Sequence, residues 1–163
     1  MKAKNYVYIA VYVAMFIVFD YISNAFSLFK MPNGGTLGIS SIVLLLASYK
    51  LGWKQGLGIS CLSVLIQFVT GPMYIPNIWG LLLDYILAFS IYGIASKFPN
   101  YGYFYTGVLI TNVFRYLFHS LGGVVVWETE VIASLIYNAT YMIPTTILGM
   151  ILVPLLHKRL SKI

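Results

Sequence analysis

A chain of 163 residues that is 60% hydrophobic, 17% aromatic and only 9% charged cannot cover itself with polar surface, because a soluble domain carries roughly a quarter charged residues. Its net charge of +6 comes from ten cations and four carboxylates punctuating apolar runs, a layout of helix-end anchors that excludes a clustered nucleic-acid-binding patch. Apolar windows of about 20 residues, the length that spans a bilayer core of ~30 Å, recur along the chain; with a mean hydropathy of +0.87 they predict one integral membrane domain over residues 1–163.

Turn and charge punctuation predicts helices at 6–29, 37–49, 56–69, 77–96, 102–126 and 131–156. The breaks between them are KMPNGG (30–35), KLGWKQ (50–55), TGPMYIPN (70–77), KFPNYG (97–102) and WETE (127–130). The first run is too long for a cleavable signal and lacks a small-residue cleavage site, so it reads as a retained membrane helix. It carries Ala10 and Ala14 on one face, and Asp20, Ser23, Asn24 and Ser27 as a polar stripe nearer its end. The second helix is short, about 20 Å at 1.5 Å per residue. In the third, the lone Cys61 reads as a small packing residue and Gln67 stands at the end. The fourth places Asp84 inside LLLDYILAFS, about 12 Å beyond Pro76. On the fifth, Arg115 and His119 stack one turn apart, and on the sixth Asn138 is flanked by Tyr137 and Tyr141.

With both termini cytoplasmic, Lys2, Lys4, Lys50, Lys54, Lys97, Lys158, Arg159 and Lys162 share the inner side, while Lys30, Glu128 and Glu130 face out. That is the positive-inside pattern. Within the spans Asp20, Asp84, Arg115 and His119 are the groups able to carry charge; with Asn138 and Gln67 they fall in the outer halves, and the inner halves are almost purely apolar. Such asymmetry predicts a cup open to the outside and lined by Tyr74, Trp79, Tyr85, Trp127 and Tyr137, suited to a flat small molecule. Plainer roles compete: Trp53 and Trp79 as interfacial belt residues, Asp20 with Arg115 as a mutually neutralising pair, and His119 as a hydrogen-bonded packing residue. No GxxxxGK[ST], HExxH, CxxC or GxSxG occurs, so no P-loop, metal motif or nucleophile elbow is expected. A small cup without an engine points to a binding subunit of a larger machine. The alternatives are a membrane enzyme using Asp84 and His119 as acid and base, and an accessory protein whose buried polar groups only pack helices.

Four stretches carry a family resemblance: KMPNGGTLGIS (30–40), LLLDYILAF (81–89), RYLFHSLGGVVVW (115–127) and IYNATYMIP (136–144). In order, and over nearly the whole chain, they resemble the thiamine-specific S component of energy-coupling factor transporters. The resemblance implies an all-α, integral membrane six-helix bundle in a prokaryotic plasma membrane. It implies a non-enzymatic subunit with no cofactor that binds thiamine and passes it to one transmembrane coupling protein and two cytoplasmic ATPases. Asp84 then holds the aminopyrimidine with Tyr85 beside it, and His119 and Trp127 pack around the thiazolium. Asn138 adds a polar contact and Gly123 admits the ligand close to the backbone, beside the Tyr74 and Tyr137 already read as cup lining from their positions. Ala10 and Ala14 match the small-residue docking face of such subunits. Two departures, Ala133 and Ser134 where a further aromatic is expected and an Asp at position 84 where Glu also occurs, leave another vitamin or a pyrimidine precursor as the neighbouring reading. Thiamine suits the residues on physical grounds as well: an indole face attracts a desolvated cation by ~2 kcal/mol, and Glu128 with Glu130 would favour its approach.

Overall fold

The computed structural model describes residues 3–25, 31, 32, 34–70 and 73–161, and for residues 3 and 4 the backbone alone. Ser27 of the expected polar stripe and the anchors Lys2, Lys30 and Lys162 lie outside the described residues, as does the side chain of Lys4. The regular elements of the described chain are helices apart from one short hairpin: α1 (Ala3–Ala25), α2 (Ile39–Leu51), α3 (Trp53–Thr70), α4 (Ile78–Lys97), β1 (Asn100–Tyr101), β2 (Phe104–Tyr105), α5 (Thr106–Val125) and α6 (Val131–Leu160). Four segments, residues 5–25 of α1 and all of α4, α5 and α6, are long and apolar enough to cross a membrane.

The short second helix is explained by where it sits. Every residue from Ser40 to Ser48 is buried, and α2 packs against α1, α3, α4 and α6. A helix enclosed on all sides is apolar all round and has no lipid boundary to match. Gly52, at φ +88°, turns the chain tightly from α2 into α3, a conformation that costs glycine little. The fifth helix begins later than expected, at Thr106, because residues 100–105 pair as a hairpin with Asn100 opposite Tyr105 and Gly102 at φ +64° in the turn.

The helix α4 is wound unevenly. Asn77 caps its first turn, its Oδ1 accepting from the Gly80 amide at 3.0 Å. Leu81–Leu87 then widens into π-helix, and after one α turn Ile91–Lys97 tightens into 3₁₀-helix. The tight half lies backbone to backbone against its neighbours: a Cβ on Gly93 would come within 2.3 Å of Leu57 Cα, and one on Gly107 within 2.0 Å of the Ala95 carbonyl. Around this contact lie the fully buried Phe16, Leu44, Leu45, Tyr92 and Val108.

Lysines gather at the same end. Lys50 donates to the Leu160 carbonyl at 2.6 Å, and Lys54 and Lys97 both lie over the Trp53 ring. The expectation of an almost purely apolar inner half needs correction here. Ser48 donates to the Gly93 carbonyl at 2.7 Å, and Tyr92 to Asn112 Oδ1 at 2.8 Å, all in buried positions. Each polar group is satisfied across a helix contact, which is what makes it tolerable there. Cys61 also departs from expectation: it is exposed on α3, its Sγ 3.4 Å from Ser90 Oγ.

Candidate functional site

Away from the lysines the helices part around a cavity of about 690 Å³. All eight residues singled out for ligand contact line it: Tyr74, Asp84, Tyr85, His119, Gly123, Trp127, Tyr137 and Asn138. Trp79 does not; it is 57% exposed on the outside of α4, where one α turn after the Asn77 cap leaves its ring pointing away. Tyr74 and Trp127, each about half exposed, stand at the mouth.

Asp84 sits in the π-helical segment, at 18% side-chain exposure, and π-bulges recur at functional positions because they push one side chain out of the regular ladder. Its neighbour across the cavity wall is His119, whose Nδ1 lies 2.9 Å from Asp84 Oδ1. On the far side of the imidazole, Arg115 Nε donates to His119 Nε2 at 3.1 Å. An arginine N–H can only donate, so Nε2 carries the lone pair and the ring proton sits on Nδ1, aimed at Asp84. The imidazole is therefore neutral in this arrangement and stands between the carboxylate and the guanidinium. Asp84 and Arg115 are linked through His119 and are not directly paired. Asp84 Oδ2 has no hydrogen-bond partner among the described residues and remains available to a ligand donor.

Below this triplet Arg115 is held firmly. Its guanidinium lies 4.4 Å from the Phe89 ring centre, and Nη1 donates to the Tyr92 hydroxyl at 3.3 Å, which in turn donates to Asn112. Two glycines make the packing possible. A Cβ on Gly122 would come within 2.7 Å of Asp84 Oδ1, so the bare Cα gives the carboxylate its seat. Gly123 lines the cavity, but its missing Cβ faces Ser134, whose Oγ would lie 2.1 Å away. Ser134 bonds the Ser120 carbonyl at 2.8 Å and tethers α6 to α5.

The sixth helix supplies a polar and aromatic wall. Asn138 uses Nδ2 on the Ser134 carbonyl at 2.9 Å and its Oδ1 accepts from the Tyr141 hydroxyl. Over this wall folds the segment after residue 30. Gly34 and Gly35, at φ +91° and +86°, bend it, Tyr137 donates to the Gly34 carbonyl at 2.7 Å, and Gly35 lies so close to the Tyr141 ring that a Cβ would come within 2.7 Å of it. The glycine pair of the motif is explained by this: both positions hold a positive φ that costs glycine little, and Gly35 also has no room for a Cβ. Tyr85 accepts from the Tyr74 amide at 2.8 Å, so it braces the opposite lip.

Sequence reasoning underrated three groups. Gly122 carried no signal apart from its neighbour. Arg115 and Asp20 were visible as charges at membrane depth, yet both line the cavity instead of pairing with each other. Among the described residues no Lys or Arg nitrogen lies within 4.0 Å of a carboxylate, His119–Asp84 being the one basic–acidic contact at that range, and no three His, Cys, Asp or Glu side chains gather in a way that could hold a metal ion. Ala10 and Ala14 lie elsewhere, exposed on α1 with Val7, Val11 and Val18, while Tyr12, Phe16 and Asp20 on its other side are buried.

Comparison with known proteins places this arrangement. The profile of the family described as Thiamine transporter protein (Thia_YuaJ) matches residues 6–163. The thiamine transporter ThiT of Bacillus subtilis (strain 168) is 32% identical over 169 residues, covering 91% of this chain and 87% of that protein.

Proposed function

The chain belongs to the thiamine transporter family, and on that premise we propose that it is the thiamine-binding S component of an energy-coupling factor transporter. In this reading it is a six-helix bundle with both termini cytoplasmic, and the cavity faces the outside of a prokaryotic plasma membrane. Thiamine is the transported ligand and no cofactor takes part.

One observation supports the reading most directly: the Arg115–His119–Asp84 chain aims a carboxylate with a free oxygen into a cavity walled by Trp127 and tyrosines. Asp84 Oδ2 suits the exocyclic amine of the aminopyrimidine, while the adjacent ring nitrogen can take a proton or a donor from the same wall. Tyr85 has its hydroxyl proton free beside it. Trp127 at the mouth offers an indole face to the thiazolium, with Tyr137 and Tyr74 closing the stack. Asn138, its Nδ2 shared between the Ser134 carbonyl and Ser134 Oγ, adds a polar group to the wall, and the glycine pair 122–123 lets α5 approach closely. ATP-driven delivery is assigned to partner subunits, one coupling protein and two ATPases, docking on the lipid-facing side of α1 through Ala10 and Ala14, where small residues allow close helix approach.

Calorimetry of the purified protein with thiamine tests binding, with quenching of tryptophan fluorescence as a second readout. Saturable one-to-one binding at micromolar affinity or tighter is expected, and its absence overturns the reading. Uptake into vesicles should need all partner subunits. Ala10→Leu with Ala14→Leu should abolish that uptake and leave binding intact; uptake unchanged by the bulky pair would remove α1 from the docking face.

A further inference from the structure

Asp20 is a second carboxylate in the cavity, and nothing in the ligand reading so far employs it. It projects from α1, is 7% exposed and lines the same cavity as Asp84. Its hydrogen bonds are long and come from neutral groups: Ser40 Oγ donates to Oδ1 at 3.4 Å and Asn24 Nδ2 to Oδ2 at 3.3 Å, so neither neighbour brings compensating charge. A carboxylate this buried needs compensating charge. Arg115 is the obvious source, and it is committed elsewhere. Its Nε serves His119, its Nη1 serves Tyr92, and it stays beyond 4.0 Å from Asp20.

Counting charge within the cavity sharpens the point. With both carboxylates ionised, Asp20 and Asp84 contribute two negative charges, Arg115 one positive, and His119 none, since its Nε2 accepts from Arg115. One negative charge is left over. A neutral ligand would leave it uncompensated, and a ligand with one delocalised positive charge would cancel it.

We propose that Asp20 is a specificity-determining residue, the group that makes this cavity select a singly charged organic cation over its neutral isostere. The proposal rests on thiamine being the ligand and adds the part of the site that recognises the thiazolium charge. Asp84 then reads the hydrogen-bonding edge of the pyrimidine, and Asp20 supplies the field that favours the cation. Two tasks fall to two carboxylates on different helices.

The test compares two ligands on the full-length protein by calorimetry: thiamine, and the uncharged analogue in which a thiophene replaces the thiazolium. Wild-type protein should prefer thiamine by at least about 10-fold, the equivalent of 1.4 kcal/mol. In Asp20→Asn, which keeps the shape and can still accept from Asn24 while donating to Ser40 Oγ, thiamine should weaken by about 10-fold or more while the analogue stays within about 2-fold. Asp20→Glu should retain the preference for the cation. Equal losses for both ligands would mean that Asp20 only shapes the fold, and no loss for either would mean that its charge is unused; each result overturns the proposal. Asp20→Ser serves as a second neutral variant, and if neither neutral variant can be purified folded while Asp20→Glu can, the charge belongs to the fold and the proposal fails. Wild-type protein that binds neither ligand removes the thiamine reading itself, and this proposal with it. A protein that binds both equally keeps thiamine as ligand and rejects Asp20 alone.

Discussion

The two halves of α4 are built on opposite plans. Near the lysine-rich end Ile91–Lys97 is wound tightly and pressed between α3 and α5 with glycine on both contacts. Towards the cavity Leu81–Leu87 is wound loosely, and its carboxylate reaches its neighbours through a histidine. One half gains stability from contact at van der Waals distance; the other forgoes such contact and is organised by hydrogen bonds around empty volume. Interiors packed to crystal density do not tolerate added methyl groups, whereas a cavity wall does. A substitution's effect should therefore depend on which half it strikes: stability in the first, ligand affinity in the second.

The largest effect should come from the tight half. Gly93→Val places a branched side chain where even a Cβ would meet Leu57 Cα at 2.3 Å and the Gly56 carbonyl carbon at 2.8 Å. Backbone atoms cannot step aside as a side-chain tip can, so the destabilisation should reach or exceed the upper end of the ~1–3 kcal/mol typical of overpacking. Thermal unfolding in detergent should show a large drop or no folded protein. Gly58→Ala is the control on the adjoining helix: nothing lies within 4 Å of its Cβ position, and the melting temperature should hold or rise slightly, since alanine is the better helix former by about 1 kcal/mol. Equal effects of the two would show that the tight contact carries no special weight.

In the cavity half the same kind of change should spare the fold and strike the ligand. Asp84→Asn removes the charge that accepts from His119 and, in the proposed complex, from the aminopyrimidine. Hydrogen bonds to charged groups contribute about 1.5–3 kcal/mol, so thiamine affinity should fall roughly 10- to 100-fold, with a melting temperature close to wild type in the absence of ligand. Trp127→Ala should cost less, about 10-fold for a cation–π contact of ~1–2 kcal/mol at a half-exposed mouth. A fall in apo stability larger than the fall in affinity for either variant would erase the distinction between the halves.

How much of this was readable beforehand follows the same division. The chemistry of the cavity was legible because carboxylates, an arginine and a histidine at membrane depth are too costly to be accidental, and Asp84, His119 and Asn138 stood at matching depths on separate helices. What could not be read was how they meet. Nothing in RYLFHSLGG indicates that the imidazole separates Asp84 from Arg115, since helix spacing fixes a face and leaves rotamers and neighbours undetermined. By sequence Trp79 fits both the cavity lining and an interfacial belt, and the local winding of α4 turns it outward, as a belt residue would be. The tight half was nearly silent in sequence. Gly56, Gly93 and Gly107 look like scattered glycines until their helices are brought together, and the enclosed position of α2 appears only as a helix too short to span. Hydrophobic pattern reports exposure to lipid or core; it does not report how closely two backbones approach.

The smallest effect tests how the cavity half is closed. Tyr137 donates to the Gly34 carbonyl, and this bond joins α6 to the segment bent by Gly34 and Gly35 over Tyr141. Tyr137→Phe keeps the ring and deletes the donor, so the aromatic lining is unchanged and the lip loses one anchor. A neutral hydrogen bond contributes about 0.5–1.5 kcal/mol, which corresponds to roughly 2- to 10-fold in affinity. Since the ligand's own contacts survive, that loss should appear as faster dissociation in stopped-flow fluorescence with the association rate nearly constant. A change confined to association would place the segment as a gate to entry, and the comparison would then need redrawing: the loose half would owe its retention of ligand to the ring wall of Tyr137 and Tyr141, not to the glycine turn laid across it.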